Sequence, residues 1–91
     1  PEMSHYSQLD VKGVVEADLF IGLFEDPQYA YRGSFTELGV ALGYRQMGFQ
    51  KEIWVVCPDE LSYAQSNIFI HHPFIRHFNS WEACYMALTA I

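Results

Sequence analysis

The sequence predicts a small α/β fold, a parallel sheet flanked by helices. Three observations lead there. Two continuous apolar runs of strand length occupy residues 18–24 and 52–57, a helical pattern lies between them, and the 91 residues fit one domain with one core. Runs that are apolar throughout suit strands covered on both faces, and a strand–helix–strand order implies parallel pairing through a right-handed crossover.

Taken in order, residues 1–8 are mixed and polar. Leu9, Val14 and Val15 then place apolar groups on one side of a short helix that Asp10 is suited to cap and that ends near Glu16. Asp18-Leu-Phe-Ile-Gly-Leu-Phe24 reads as a central parallel strand. Residues 25–32, with Asp26-Pro27 and two tyrosines, have the composition of a loop leading to Gly33-Ser34 at the mouth of the next helix. That helix runs to about Met47. Its stripe is Phe35, Leu38 and Leu42, Gly39 and Gly43 are expected to permit close approach to the sheet, and Gly48 is placed to stop it in the left-handed conformation.

Glu52-Ile-Trp-Val-Val-Cys57 is a second buried strand closed by Pro58-Asp59. Asn67-Ile-Phe-Ile70 fits a strand or a helix end, and so short a segment leaves both open. Residues 74–78 suggest a short edge strand after Pro73, and Ser80 caps a final helix whose Trp81, Cys84, Tyr85 and Leu88 repeat at helical spacing. The whole is a single domain over residues 1–91, a Rossmann-like or flavodoxin-like parallel sheet lacking the first strand that normally precedes such a unit. An N-terminally incomplete domain is therefore expected, with a free edge at the strand of residues 18–24.

Composition narrows the function. Hydrophobic residues make up 51% and aromatics 16%, too rich for disorder, while no apolar run reaches the roughly 20 residues that span a bilayer. Five Lys plus Arg against eleven Asp plus Glu give a net charge of −6, which argues against binding long nucleic acid. Cys57 and Cys84 form neither a disulfide framework nor a CxxC metal spacing and read as reduced thiols of a cytoplasmic protein, with no export signal visible. Apolar surface this abundant on a small chain implies oligomer contacts.

In a parallel α/β sheet, ligands sit beyond the C-terminal ends of the strands, where loops enter helices. That places Gly33, Ser34 and Glu37 at the candidate site. Ser34-x-x-Glu37 is also a capping-box spacing, which satisfies free N–H groups at a helix start and needs no ligand. Asp10 has an equally plain reading as a helix cap and Asp18 as a turn residue. His71, His72 and His77 lack acidic or cysteine partners at metal-ligand spacing, so no metal is expected. Tyr29 and Tyr31 are suited to stack on a base or to act as lid or interface contacts.

Taken together, Asp10-Val-Lys-Gly-Val, Ala17-Asp-Leu-Phe-Ile-Gly and Gly33-Ser-Phe-Thr-Glu-Leu-Gly-Val-Ala-Leu42 resemble the nucleoside 2-deoxyribosyltransferase family, which includes related deoxynucleotide N-hydrolases. The resemblance continues through Val55-Val-Cys-Pro-Asp-Glu60 to Asn67. It implies that Glu37 is the nucleophile, that Asp10 assists the base, and that Asn67 is lent to a neighbouring subunit's site. At Tyr31, six positions before the nucleophile, the family often has an acidic or small polar residue that holds the sugar or a 5′-phosphate, so this sequence departs from the pattern there. The family's first strand, which contacts the base, has no counterpart.

The implied reaction is displacement at C1′ of a 2-deoxyribonucleoside or its 5′-monophosphate, with retention, through a Glu37 carboxylate that captures an oxocarbenium-like centre. Asp10 would protonate the leaving base if partial burial raised its pKa. No cofactor is needed, and the expected partners are a small nucleoside or nucleotide and further copies of the chain in a homodimer or larger homo-oligomer. Two other classes fit the same residues: a nucleotide-binding or sensing module using the Gly33-Ser34 helix start, and a structural oligomerisation domain.

Overall fold

The computed structural model describes residues 2–26, 32–59 and 68–90. Helix α1 spans Glu2–Glu16, strand β1 Leu19–Leu23, helix α2 Arg32–Gln46 and strand β2 Glu52–Val56. A 3-10 turn at Ile68–His71, strand β3 over Ile75–Phe78 and helix α3 over Trp81–Thr89 complete the chain. The architecture is mixed α/β, an open three-stranded parallel sheet of order β1-β2-β3 flanked by helices. Among the described residues, no helix is long and apolar enough to cross a membrane.

The apolar run of β2 makes it the centre of this sheet, and it is buried from Ile53 to Val56. Its two faces seed two cores. Ile53 and Val55 pack with Leu38, Ala41 and Leu42 of α2 and with Val14 of α1, while Trp54 and Val56 pack with Cys84 of α3. The stripe expected on α2 thus meets the sheet, and Gly48, at φ 99°, ends that helix as its left-handed tolerance suggests. Ser80 caps α3 by accepting a hydrogen bond from the Ala83 N–H at 3.2 Å. Cys57 and Cys84 are not joined in a disulfide, and both are buried.

Several expectations are corrected. β1 lies at the edge of the sheet, with the free edge expected of it among the described residues, but it is only half-buried over Leu19–Ile21 rather than covered on both faces as a central strand would be. Helix α1 begins at Glu2 and carries Asp10 in its middle, so Asp10 caps nothing; the polar first turns concealed the helix, and it buries only Val14. Leu9 is half-exposed. Gly39 and Gly43 do not bring α2 against the sheet, since a Cβ at either would meet nothing within 4 Å. The segment left open between strand and helix forms the 3-10 turn from Ile68, and Asn67 lies outside the described residues. In α3, Cys84 is buried but Trp81 and Tyr85 are exposed, so the expected stripe is only partly covered.

One residue without a local signal organises the lower end of the fold. Lys51, between α2 and β2, is only 4% exposed. Its ammonium donates to the carbonyl oxygens of Val14 at 2.7 Å, Val15 at 3.4 Å and Ala17. These carbonyls sit at the end of α1, where a helix leaves its last C=O groups unpaired and carries partial negative charge. Arg45 continues the connection, donating to the Lys51 carbonyl at 2.6 Å while its guanidinium covers the Phe74 ring.

Candidate functional site

The α1–α2 pairing and the bare flank of β1 create two adjoining clefts. The first, about 210 Å³, lies between Ser7, Asp10 and Val14 of α1 and Gly33, Thr36 and Glu37 of α2. The second, about 370 Å³, runs between Leu9 and Gly13 of α1, Ala17 just past its end, and Leu19–Ile21 of β1. Asp10, Val14 and Glu37 line both. The two carboxyl groups singled out in the sequence therefore come together on the ridge between the clefts.

Their position follows from local folding. α1 delivers Asp10 one helical turn above buried Val14, and α2 delivers Glu37 beside buried Leu38, so each carboxyl stands at the margin of an apolar stripe. One end of the space reaches Gly33, just inside α2 and past the C-terminal end of β1; the other descends along the flank of the sheet. The site thus extends farther down the β1 edge than a pocket confined to the strand ends.

Electrostatics distinguish Glu37. Burial, and then the negative charge of Asp10, push its carboxyl pKa up from the ordinary value. Both causes disfavour the ionised form, the first by removing water and the second by like-charge repulsion. Among the described side chains no cation stands at ion-pair distance from Glu37; the ion pair that is seen joins Lys12 and Glu16, 3.9 Å apart on the exposed face of α1.

Of the remaining candidates, Gly33 lines the first cleft, whereas Ser34 lines neither. The capping-box reading of Ser34 and Glu37 also changes, because α2 starts at Arg32 and Ser34 is its third residue, inside the first turn. Tyr29, Tyr31 and Asn67 lie outside the described residues. The histidines have local partners: the His72 Nδ1 accepts from the Phe74 N–H at 3.1 Å, and the His77 Nε2 is 2.8 Å from the Cys57 carbonyl oxygen. Among the described residues no three His, Cys, Asp or Glu side chains converge in a metal-binding group. Ser7 and Thr36 escaped the sequence reading; the available signal for Ser7 was its place three residues before Asp10, on the same helix face.

No protein-family model, curated protein or solved structure matches the chain.

Proposed function

We propose that this chain is a nucleoside 2-deoxyribosyltransferase-like domain on a Rossmann-like or flavodoxin-like sheet, acting on the N-glycosidic bond of a 2-deoxyribonucleoside or its 5′-monophosphate. The observation that carries the reading is the shared cleft of Glu37 and Asp10, with the Glu37 pKa raised. A carboxylate of raised pKa is a stronger base and nucleophile once it has lost its proton. Glu37 attacks C1′ as the C1′–N bond breaks, and the electron pair leaves with the base, which takes a proton delivered on the Asp10 side. A second base then accepts the sugar from Glu37, or water does, giving transfer or hydrolysis.

Two-carboxylate glycosyl chemistry depends on such a division of roles within one small space. Gly33, Ser7 and Thr36 supply polar contacts for a sugar, and Leu19–Ile21 supply apolar surface for a base. Tyr31, Ser34 and Asn67 retain only the roles implied by resemblance, with Asn67 contributed between subunits of a homo-oligomer. A second reading, a nucleotide-binding module, is supported by the start of α2 opening on the first cleft through Gly33, since helix N-termini attract anions.

One experiment separates these readings. The protein is incubated with deoxynucleosides and their 5′-monophosphates, with and without a free acceptor base, and the products are resolved chromatographically. Free base released only by the parent, and not by Glu37→Gln, supports the glycosyl reading; equal ligand affinity of both proteins with no product supports the binding module.

A further inference from the structure

The helices that carry Asp10 and Glu37 are joined through one side chain away from the clefts. Lys51 lies between α2 and β2, and α2 holds it from one side: the Arg45 guanidinium donates to the Lys51 carbonyl at 2.6 Å, and the Tyr44 ring centre is 5.7 Å from the Lys51 ammonium. From there the ammonium reaches across to the end of α1, donating to the carbonyls of Val14 at 2.7 Å, Val15 at 3.4 Å and Ala17. An ammonium has three N–H donors, and three carbonyls take them. The result is a strap running from α2 through Arg45 and Lys51 to α1.

The strap leads to both carboxyl groups. Val14 is buried and lines both clefts, and by helix geometry its N–H donates to the carbonyl of Asp10, one turn earlier in α1. Val14 is thus tied through its carbonyl to Lys51 and through its N–H to Asp10. On α2, Glu37 precedes Arg45 by about two turns of the same helix. We infer that Lys51 is a positioning residue that sets the separation of Asp10 and Glu37, an inference that rests on the reading of those two groups as a working pair.

The chemistry of the joint suits that role. Apolar packing at Val14 is non-directional and by itself leaves a helix free to turn or slide, whereas hydrogen bonds to the carbonyls at the end of α1 fix it along its axis and about it. Lys51 is almost fully buried, so water does not compete for these bonds. Lys51 itself lines neither cleft. The separation of two carboxyl groups decides which glycosyl chemistry they can perform, so Lys51 acts on the site without touching a substrate.

A double-substitution cycle tests this, read by NMR titration of Glu37 in the absence of substrate. Among the described residues lining the clefts, Asp10 and Glu37 are the titratable side chains, and the Asp10 charge adds to burial in raising the Glu37 pKa. The fall in that pKa on Asp10→Asn therefore measures how near the two groups stand. In a Lys51→Met background the fall should be about half or less of that in the parent, because α1 is no longer held. Loss of the Lys51 charge acts on both members of the cycle and cancels. In a Ser80→Ala background, which lacks the α3 cap, the parent's full effect should return. If Lys51→Met does not fold, Arg45→Met decides by the same criterion, since it removes the α2 end of the strap and leaves the ammonium on α1. A larger fall than that in the deciding variant, or an equal reduction in Ser80→Ala, overturns the inference. Nucleosides left uncleaved in the product assay would sink the glycosyl reading and leave this cycle untouched.

Discussion

Lys51 and Glu37 are both charged residues drawn toward the protein interior, one at each end of the contact between α1 and the rest of the fold. Lys51 is almost fully buried, and its ammonium is shared among three carbonyl oxygens. Glu37 is half-buried, faces the like charge of Asp10 and opens on two clefts. Taking an ion out of water is costly unless hydrogen bonds replace the lost hydration. At Lys51 that replacement is made by the fold, and the residue is a fastener. At Glu37 it is left for something else to make, and it is on this uncompensated charge in a cleft that the proposed function rests.

The contrast is sharpest under substitution. The largest expected effect is on chemistry: Glu37→Gln should lower turnover of a deoxyribosyl substrate by about a thousandfold or more, as loss of a covalent nucleophile does, without reducing stability. Steady-state assay beside urea denaturation checks both halves, and an unfolded variant would dissolve the distinction. Lys51→Met should do the reverse, costing about 2–4 kcal/mol by leaving α1 carbonyls unsatisfied while the intact protein keeps its active groups. The denaturation midpoint measures this.

A subtler comparison uses pH. Glu37 has a raised pKa in the folded chain, so the native state holds this proton to higher pH than the unfolded state does. Stability from the protonated form is fully present below the ordinary carboxyl pKa and is lost as pH rises through the raised folded value. Glu37→Gln, neutral throughout, should therefore match or exceed the parent's stability at neutral pH and lose that advantage in acid. Asp10→Asn removes the secondary cause only, so the Glu37 titration followed by NMR should move down but stop short of the ordinary value, burial being the larger cause. The smallest effect belongs to a site away from both ends: Ser80→Ala should cost about 1 kcal/mol through the lost α3 cap and leave the Glu37 titration unchanged.

Much of this fold was legible because its signals are local. The runs that became β1 and β2 are apolar without interruption, Gly48 ends α2, and Ser80 caps α3. The failures have physical causes too. α1 was read too short because its first turns are polar and exposed, leaving no periodic stripe to detect. Gly39 and Gly43 suggested close packing, yet their side of α2 faces open space. The burial of Lys51 had no signature, since its partners are backbone atoms more than thirty residues earlier in the chain. At the site, the carboxyl types and their neighbourhood were legible at Glu37 and Asp10, but the second cleft and Ser7 depend on how α1 lies across α2, which spacing does not encode.

The Lys51 clasp also bears on synthesis at the ribosome. Its ammonium meets a carbonyl 37 residues earlier in the chain, at Val14. During translation α1 leaves the exit tunnel well before the group that secures its last turn has been polymerised. Helices of this length are marginal in water by themselves. The nascent α1 should therefore fray until β2 arrives, and its final turn should become resistant to protease only in chains long enough to expose residue 51.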